Sequence, residues 1–291
     1  MTIIDGRKIA QDIENRLKQE VANIEEPPVL AAILVGEDPA SVLYIKIKEK
    51  ACKEVGIGFQ SYQLPVTSEQ EKIIELIEKL NRDDKITGII LQLPLPKHLD
   101  TEKIINTVLP SKDADALGEQ AQVIPPTVSA ILKIFAEYGI FLKNKNICLV
   151  GYGRLVGKPL VKELENRGLK LDICDNETKN LTEYTKKADI LISATGVPHL
   201  ITAEMVKKGA VVIDAGTSIE KTPRYKIQDT KKVQIQNFQK SVVSVKTKSV
   251  VGDVDFDNVK NKTSYITPPT GGIGPITVAK LLENVMKLTR K

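Results

Sequence analysis

The sequence predicts an α/β protein of two domains built on parallel strands. Three observations point there. Short apolar runs alternate with longer stretches whose apolar residues recur at helical spacing, which is the pattern of β-α-β units. At 291 residues the chain exceeds the roughly 100 to 200 residues of one ordinary domain. A glycine turn, "GYGRLVGKP" at residues 151–159, then joins an apolar run to a helical pattern where the alternation starts afresh.

The elements follow in order. Ile9, Ile13, Leu17, Val21 and Ile24 recur at helical spacing, and Pro27 and Pro28 stop that helix. The unbroken apolar run Val29–Val35 fits a strand buried on both faces of a parallel sheet. Asp38 can cap a second helix over "SVLYIKIKEKACKEV", with Pro39 at its first position and Gly56 near its end. Ser68 and Glu71 read as a capping box for a third helix through Ile73, Ile74, Ile77 and Leu80, which leads into the strand "GIILQLPLP". "IPPTVSAILKIFAEYGI" reads as a linking helix. Beyond it come the strand candidates "ICLVG", "LDICD", "DILISATG" and "AVVIDAG", with Leu160, Val161 and Leu164 marking the helix after the glycine turn. Residues 221–248 are basic and read as non-periodic, "VVGDV" follows them, and "ITPPTGGIGPITVAKLLENVM" opens a last helix from a glycine-proline turn.

Composition narrows the function classes. With 42% hydrophobic and 27% charged residues the chain is of the soluble globular class. Lys plus Arg exceed Asp plus Glu by 42 to 37, a balance that suits small anionic ligands and is no nucleic-acid footprint. Aromatic residues, at 4%, offer no stacking platform for bases. The start, "MTIIDGRKIAQDIENRL", brings in Asp5, Asp12 and Glu14 and lacks the apolar stretch of a signal peptide or membrane span, so a cytoplasmic location is expected. Cys52, Cys148 and Cys174 are far apart without metal-ligand spacing, and are expected as reduced, buried thiols.

Three constellations can carry chemistry. Glycines 151, 153 and 157 allow a tight turn, close approach of backbone to a pyrophosphate, and helix-on-strand packing, while the helix N-terminus supplies N–H donors. A second strand ends in Asp175, close to the spacing at which a carboxylate meets an adenine-ribose 2′-hydroxyl, so a dinucleotide site outweighs a turn kept for packing. Tyr44 and Lys48 lie one helical turn apart on one face. A lysine withdrawn from water beside a tyrosine hydroxyl suits proton transfer, although by spacing alone Lys46, Lys48, Lys50 and Lys53 make a solvated face. Gln92 stands at the C-terminal end of a buried strand, where open α/β sheets bind ligands, and its amide offers donors and an acceptor to a polar heterocycle. Asp113 and Asp115 in "SKDADAL" can cap a turn or grip an amidine-like ring edge. His98 and His199 are not assigned to catalysis.

These residues in this order resemble the bifunctional methylenetetrahydrofolate dehydrogenase/cyclohydrolase family. The matching strings are "VGEDPASVLYIKIKEKACKEVGI", "GIILQLPLP", "KDAD", "GYGRLVGKP", "ISATG", "VIDAG", "VVGDVDFD" and "TPPTGGIGPIT", spread over nearly the whole chain. The resemblance implies an N-terminal catalytic and folate domain, residues 1–121 joined by the last helix at 271–291, and a Rossmann-type NAD(P)-binding domain at 122–270. A folate cleft would lie between them. It implies that Lys48 is the central catalytic residue with Tyr44 beside it, that Gln92 and Asp115 line the pterin pocket, and that Ser41, Leu91, Leu93, Gly271, Gly272 and Pro275 contact substrate. The cofactor would meet Gly151, Tyr152, Gly153, Arg154, Gly157, Asp175, Thr195, Gly196 and Thr217, and the chain would form a homodimer. No metal is implied.

The departures lie mostly on the cofactor side. Where the family usually has Gly-Arg-Ser, this chain has Gly151, Tyr152 and Gly153, and where it usually has Cys-His-Ser this chain has Cys174, Asp175 and Asn176. The usual Pro-Cys-Thr-Pro is Pro125, Pro126, Thr127 and Val128, the Gly after Lys-Asp-x-Asp is Ala116, and residues 221–248 exceed the family segment. A carboxylate at Asp175 repels a 2′-phosphate and accepts from a free 2′-hydroxyl, which favours NAD. Arg154, Lys179 and the lysines of 221–248 can offset that repulsion, and family precedent favours NADP, so both cofactors stay open. Also open are a cyclohydrolase with weakened or lost dehydrogenase and a non-catalytic folate- or nucleotide-binding regulator.

Overall fold

A computed structural model of the chain describes residues 1–227 and 242–289, with the side chains of residues 219–249 outside the description. In chain order the first elements are β1 (Thr2–Ile3), α1 (Gly6–Ala22), β2 (Val29–Val35), α2 (Pro39–Val55), β3 (Gly58–Leu64), α3 (Gln70–Arg82), β4 (Gly88–Leu91) and α4 (Thr101–Thr107). After α5 (Pro126–Glu137) come β5 (Ile147–Val150), α6 (Gly157–Glu165), β6 (Leu171–Cys174), α7 (Leu181–Thr185), β7 (Ile190–Ser193) and β8 (Val211–Asp214). The remainder is β9 (Ser218–Ile227), β10 (Val242–Val251), α8 (Phe256–Val259), β11 (Tyr265–Ile266) and α9 (Ile273–Thr289). Among the described residues no helix is long and apolar enough to cross a membrane.

The first sheet is parallel in the order β3-β2-β4. Side chains alternate along β2, and both sets are buried. Leu30, Ala32 and Leu34 join the core formed with α1, α2 and α9, whereas Ala31, Ile33 and Val35 pack with Ile73, Ile77 and Leu80 of α3 and Ile104 and Ile105 of α4. That two-sided burial is why the strand reads as an unbroken apolar run. The second sheet, in the order β1-β11-β8-β7-β5-β6, is parallel throughout. It is covered likewise: Ile147, Leu149, Ile190 and Ile192 meet Leu160 and Leu164 of α6, and Cys148, Val150 and Leu191 face the other layer with Met205 and Val259. One continuous core runs from the first sheet to the second through α1, α5 and α9.

Several sequence expectations meet corrections. The Ser68 and Glu71 capping box does not form. Ser68 closes a tight turn by donating its N–H to Pro65 O, and α3 starts at Gln70, which leaves Glu71 in the first turn where it complements the helix dipole. Strands β1 and β11 and helices α4 and α7 were not anticipated, and β1 hydrogen-bonds in parallel to β11, so the chain's first strand belongs to the second sheet. The middle of the stretch read as non-periodic, 228–241, lies outside the described residues, and its described ends form a ribbon, in which β9 pairs antiparallel with β10 from Ser218↔Val251 to Ile227↔Val242. Its sequence does alternate, since Ile219, Tyr225 and Ile227 are interleaved with Glu220, Arg224 and Lys226.

Candidate active site and dinucleotide cradle

The site begins with the ends of α2. The Asp38 carboxylate accepts from the Ser41 N–H at 2.8 Å and from its hydroxyl at 2.9 Å, and Gly56 closes the helix at φ +90. Ser41 is buried in that cap and does not line the cavity. Two turns further on, Lys48 projects toward the end of β4. Its Nζ donates to Gln92 Oε1 at 3.3 Å and to Asp115 Oδ2 at 3.5 Å. The Lys48 and Asp115 side chains are only 15% and 17% exposed, which strengthens their attraction relative to a surface pair. Gln92 is held from both sides: its backbone N–H donates to Ile33 O and its Nε2 to Leu93 O, which leaves Oε1 for the lysine.

These groups stand in the wall of a cavity of about 330 Å³. Tyr44, Leu91 and Leu93 line it from the first sheet's side, and Thr217, Leu155 and Val156 from the second. The linking segment adds Pro126 and Thr127, and α9 adds Thr277, Val278 and Leu281. An adjoining hollow of about 480 Å³ shares Leu117, Pro125 and Leu155 but holds none of Lys48, Gln92 or Asp115. The two acids of "KDAD" divide the roles left open by the sequence. Asp113 is buried and accepts from the Gly118 N–H at 2.7 Å, so it caps the turn; burial pushes its carboxyl above the usual range, against the N–H groups of Gly118, Leu117 and Ala116. Asp115 takes the cavity.

Some expected substrate contacts lie elsewhere. Gly271, Gly272 and Pro275 are not among the lining residues. Gly6 donates to Gly271 O at 2.9 Å and its Cα sits where an added Cβ would overlap Gly272 O, so these glycines seat α9 on the start of α1. The face of α9 that reaches the cavity comes later, at Thr277, Val278 and Leu281. The i, i+4 spacing of Thr277 and Leu281 is the signal that could have found it.

The glycine turn sits at the point where the strand order reverses. From β5 the chain passes to β6 on one side and to β7 on the other, which sets the Gly151 turn against residues 194–196 at the kind of reversal point where open α/β sheets form a ligand crevice. Gly151 donates to Cys174 O at 2.8 Å and adopts φ +103, with a would-be Cβ 2.5 Å from Ala194 O. No other residue fits there. Gly153, by contrast, has no atom within 4 Å of its would-be Cβ, so a ligand has room to approach its backbone. Both observations fit a dinucleotide cradle.

Around it the expected partners separate. Asp175 follows β6 directly, and its Oδ1 closes a local turn by accepting from the Glu177 N–H at 3.0 Å and the Thr178 hydroxyl at 3.1 Å. Tyr152 is half exposed, with Lys158 Nζ 5.8 Å from its ring centroid. Arg154 points away from the cradle: it pairs with Glu102 and donates to Leu117 O at 3.1 Å, so its charge is spent on a bridge to the first half of the chain. Thr217 lines the catalytic cavity. The three cysteines are buried and free, with the Cys148 and Cys174 sulfurs 3.9 Å apart; burial pushes the Cys52 thiol up to about 12.

Known proteins are similar to this chain in sequence and fold. Family models of the tetrahydrofolate dehydrogenase/cyclohydrolase match the chain twice, the catalytic domain at residues 4–115 and the NAD(P)-binding domain at residues 125–291. A bifunctional protein FolD from a Nitratiruptor species is 41% identical over 304 residues, covering 100% of this chain and 99% of that protein. The crystal structure of the bifunctional methylenetetrahydrofolate dehydrogenase/cyclohydrolase FolD from Campylobacter jejuni superposes with a TM-score of 0.84 at 35% identity, covering 100% of this chain and 99% of that one. The Trypanosoma brucei enzyme, complexed with NADP and an inhibitor, gives a TM-score of 0.86 at 30% identity and covers 99% and 97% of the two chains. On these matches over its full length, the chain belongs to the tetrahydrofolate dehydrogenase/cyclohydrolase family.

Proposed function

We infer that this chain oxidises 5,10-methylenetetrahydrofolate to the 5,10-methenyl form with NAD(P) and hydrolyses that product to 10-formyltetrahydrofolate in the same cavity. The observation that carries this is the Lys48 ammonium, set between Gln92 Oε1 and Asp115 Oδ2 in a cavity lined from both sheets. Gln92 and Asp115 present an amide and a carboxylate to the pterin edge, and Tyr44 and the leucines flanking Gln92 supply apolar wall. A nicotinamide held at the Gly151 turn would supply the acceptor for the hydride of the methylene carbon, and the adjacent folate nitrogens would stabilise the resulting cation. That step asks chiefly for positioning. In the hydrolysis the water oxygen bonds to the methenyl carbon, the bond from that carbon to N5 breaks, and of the two water protons one ends on N5 and one leaves. Those transfers need a group that exchanges protons beside the reacting carbon, the role this reading gives to Lys48.

The same reading divides the chain into a catalytic half, residues 1–121 with 271–291, and a dinucleotide-binding half at 122–270, with Gly151, Gly153, Gly157, Thr195 and Gly196 as the proposed cofactor contacts. Asp175 at the end of β6, with Arg154 engaged on Glu102, favours NAD over NADP. A cytoplasmic homodimer accords with the family. Two assays on the purified protein test the whole: hydrolysis of 5,10-methenyltetrahydrofolate, and oxidation of the methylene form with each cofactor. Both activities are expected. Hydrolysis alone would leave a cyclohydrolase that has lost its dehydrogenase, and neither would leave a binding protein.

A further inference from the structure

Three stretches of the sequence, "ISATG", "VIDAG" and "VVGDV", converge on one buried pair of carboxylates. Asp253 has no exposed surface, and its Oδ2 accepts from the Ser193 hydroxyl at 2.8 Å and from the Thr195 N–H at 2.6 Å. Asp214 beside it accepts from the backbone N–H groups of Gly216 at 3.0 Å, Asp253 at 3.2 Å and Val254 at 2.9 Å. The backbone that carries Asp253 is pinned separately, because Ile201 donates to Asp253 O and Asp255 donates to Ile201 O. Its side chain therefore has a fixed base from which to hold other segments. From the far side Ser218 Oγ donates to Gly196 O at 2.8 Å, so residues 194–196 are held at both ends.

Burying a carboxylate is costly unless its oxygens are used. Here Oδ1 is buried without a partner among the described residues, and Oδ2 alone is used, on Ser193 at the end of β7 and on the Thr195 N–H of a loop, residues 194–196, that faces the Gly151 turn across the reversal point of the second sheet. There is little slack between the two, since a Cβ on Gly151 would come 2.5 Å from Ala194 O. A shift of residues 194–196 must change the crevice. Every group that Asp253 holds lies on the second sheet's side, whereas Lys48, Gln92 and Asp115 stand on α2, at the end of β4 and in the segment after it.

We propose that Asp253 is a positioning residue for the dinucleotide: by holding the Thr195 N–H and the Ser193 hydroxyl it sets residues 194–196 against the Gly151 turn, so that its loss impairs the dehydrogenase and spares the cyclohydrolase. This rests on the reading of that crevice as the cofactor site. Because the hydrolysis uses no nucleotide, the same molecule carries its own control, and a merely structural role would lower both activities together.

The test measures both reactions on Asp253→Ala, Asp253→Asn, Ser193→Ala and Gly153→Leu. Asp253→Ala should raise the cofactor KM on the order of tenfold or more, with hydrolysis changed by less than about twofold. Asp253→Asn keeps one oxygen that can accept from both the Thr195 N–H and the Ser193 hydroxyl, so it should recover most of the cofactor affinity. Ser193→Ala removes one bond without touching the backbone, should give a smaller rise of the same kind, and serves if Asp253→Ala does not fold. Gly153→Leu fills the open space of the cradle. If it leaves the cofactor KM unchanged, the crevice is not the cofactor site and the proposal falls with it. If it raises KM while Asp253→Ala and Ser193→Ala do not, the cradle stands and the role of Asp253 is overturned, as it also is if both activities of Asp253→Ala fall in parallel.

Discussion

The proposed cofactor preference rests on a single side chain, the Asp175 carboxylate. One oxygen is committed to its own turn, and a carboxylate at that strand end repels a 2′-phosphate while accepting from a 2′-hydroxyl. Asp175→Ser is expected to lower the KM for NADP and to leave that for NAD unchanged or raised, read by steady-state kinetics with each cofactor; no change with either would place Asp175 away from the ribose. Asp214 carries a second consequence. Burial above all, and then the charge of Asp253, pushes its carboxyl up from 3.8 to about 6, against the N–H groups of Val254, Asp253 and Gly216. The folded state therefore holds this proton more tightly than the unfolded chain. The stability it contributes is fully present below about pH 4 and is lost as pH rises through about 6. Relative to Asp214→Asn, the wild type should lose up to roughly 3 kcal/mol over that window in chemical denaturation, and parallel pH profiles would show that Asp214 does not titrate there.

Among the elements, the segment between β4 and α5 shows most clearly how structure is kept under altered sequence. Ala116 follows Asp115 at φ +53, a left-handed conformation that an L side chain adopts at a cost. Asn284 of α9, itself buried, ties the chain down on both sides of Ala116 by donating to Ala114 O at 3.0 Å and Ile124 O at 2.9 Å, which restricts the backbone's freedom to relax. Ala116→Gly should raise stability by about 0.5 to 1 kcal/mol, an increase in Tm by calorimetry, because relief of strain exceeds the extra freedom of the unfolded glycine. An unchanged or lower Tm would mean that the strain is taken up elsewhere. The long helices and the central strand were legible in the sequence because Ile9 to Val21 repeats the helical period several times and Val29 to Val35 is an unbroken apolar run. Strands β1 and β11 were not, since two residues cannot display a period and their pairing joins Thr2 to Tyr265. Ser68 misled because a serine three residues before a glutamate makes a capping box only where the serine is itself the N-cap, and here Glu69 holds that position.

For the molecule as a whole, α9 is the element that makes two sheets into one enzyme. It packs on α1 and α5, its Glu283 pairs with Arg16 and Lys280, and its next turn back reaches the cavity through Leu281 and Thr277. Much of the candidate site was legible as single residues. Tyr44 and Lys48 share a helical face and Gln92 ends a buried strand, but spacing alone favoured a solvated lysine face. Only the match of the whole chain to a family joined them to Asp115. The contact between Ser193 and Asp253 spans 60 positions and has no local pattern, so no reading of motifs could have shown it. The central claim is that Lys48 exchanges the protons of hydrolysis in a cavity that binds folate without it. Lys48→Met tests this most directly, with 5,10-methenyltetrahydrofolate hydrolysis measured beside a folate-binding titration. Hydrolysis should fall by on the order of a hundredfold or more, with circular dichroism unchanged and folate still bound. Near-normal hydrolysis by that variant would contradict the claim.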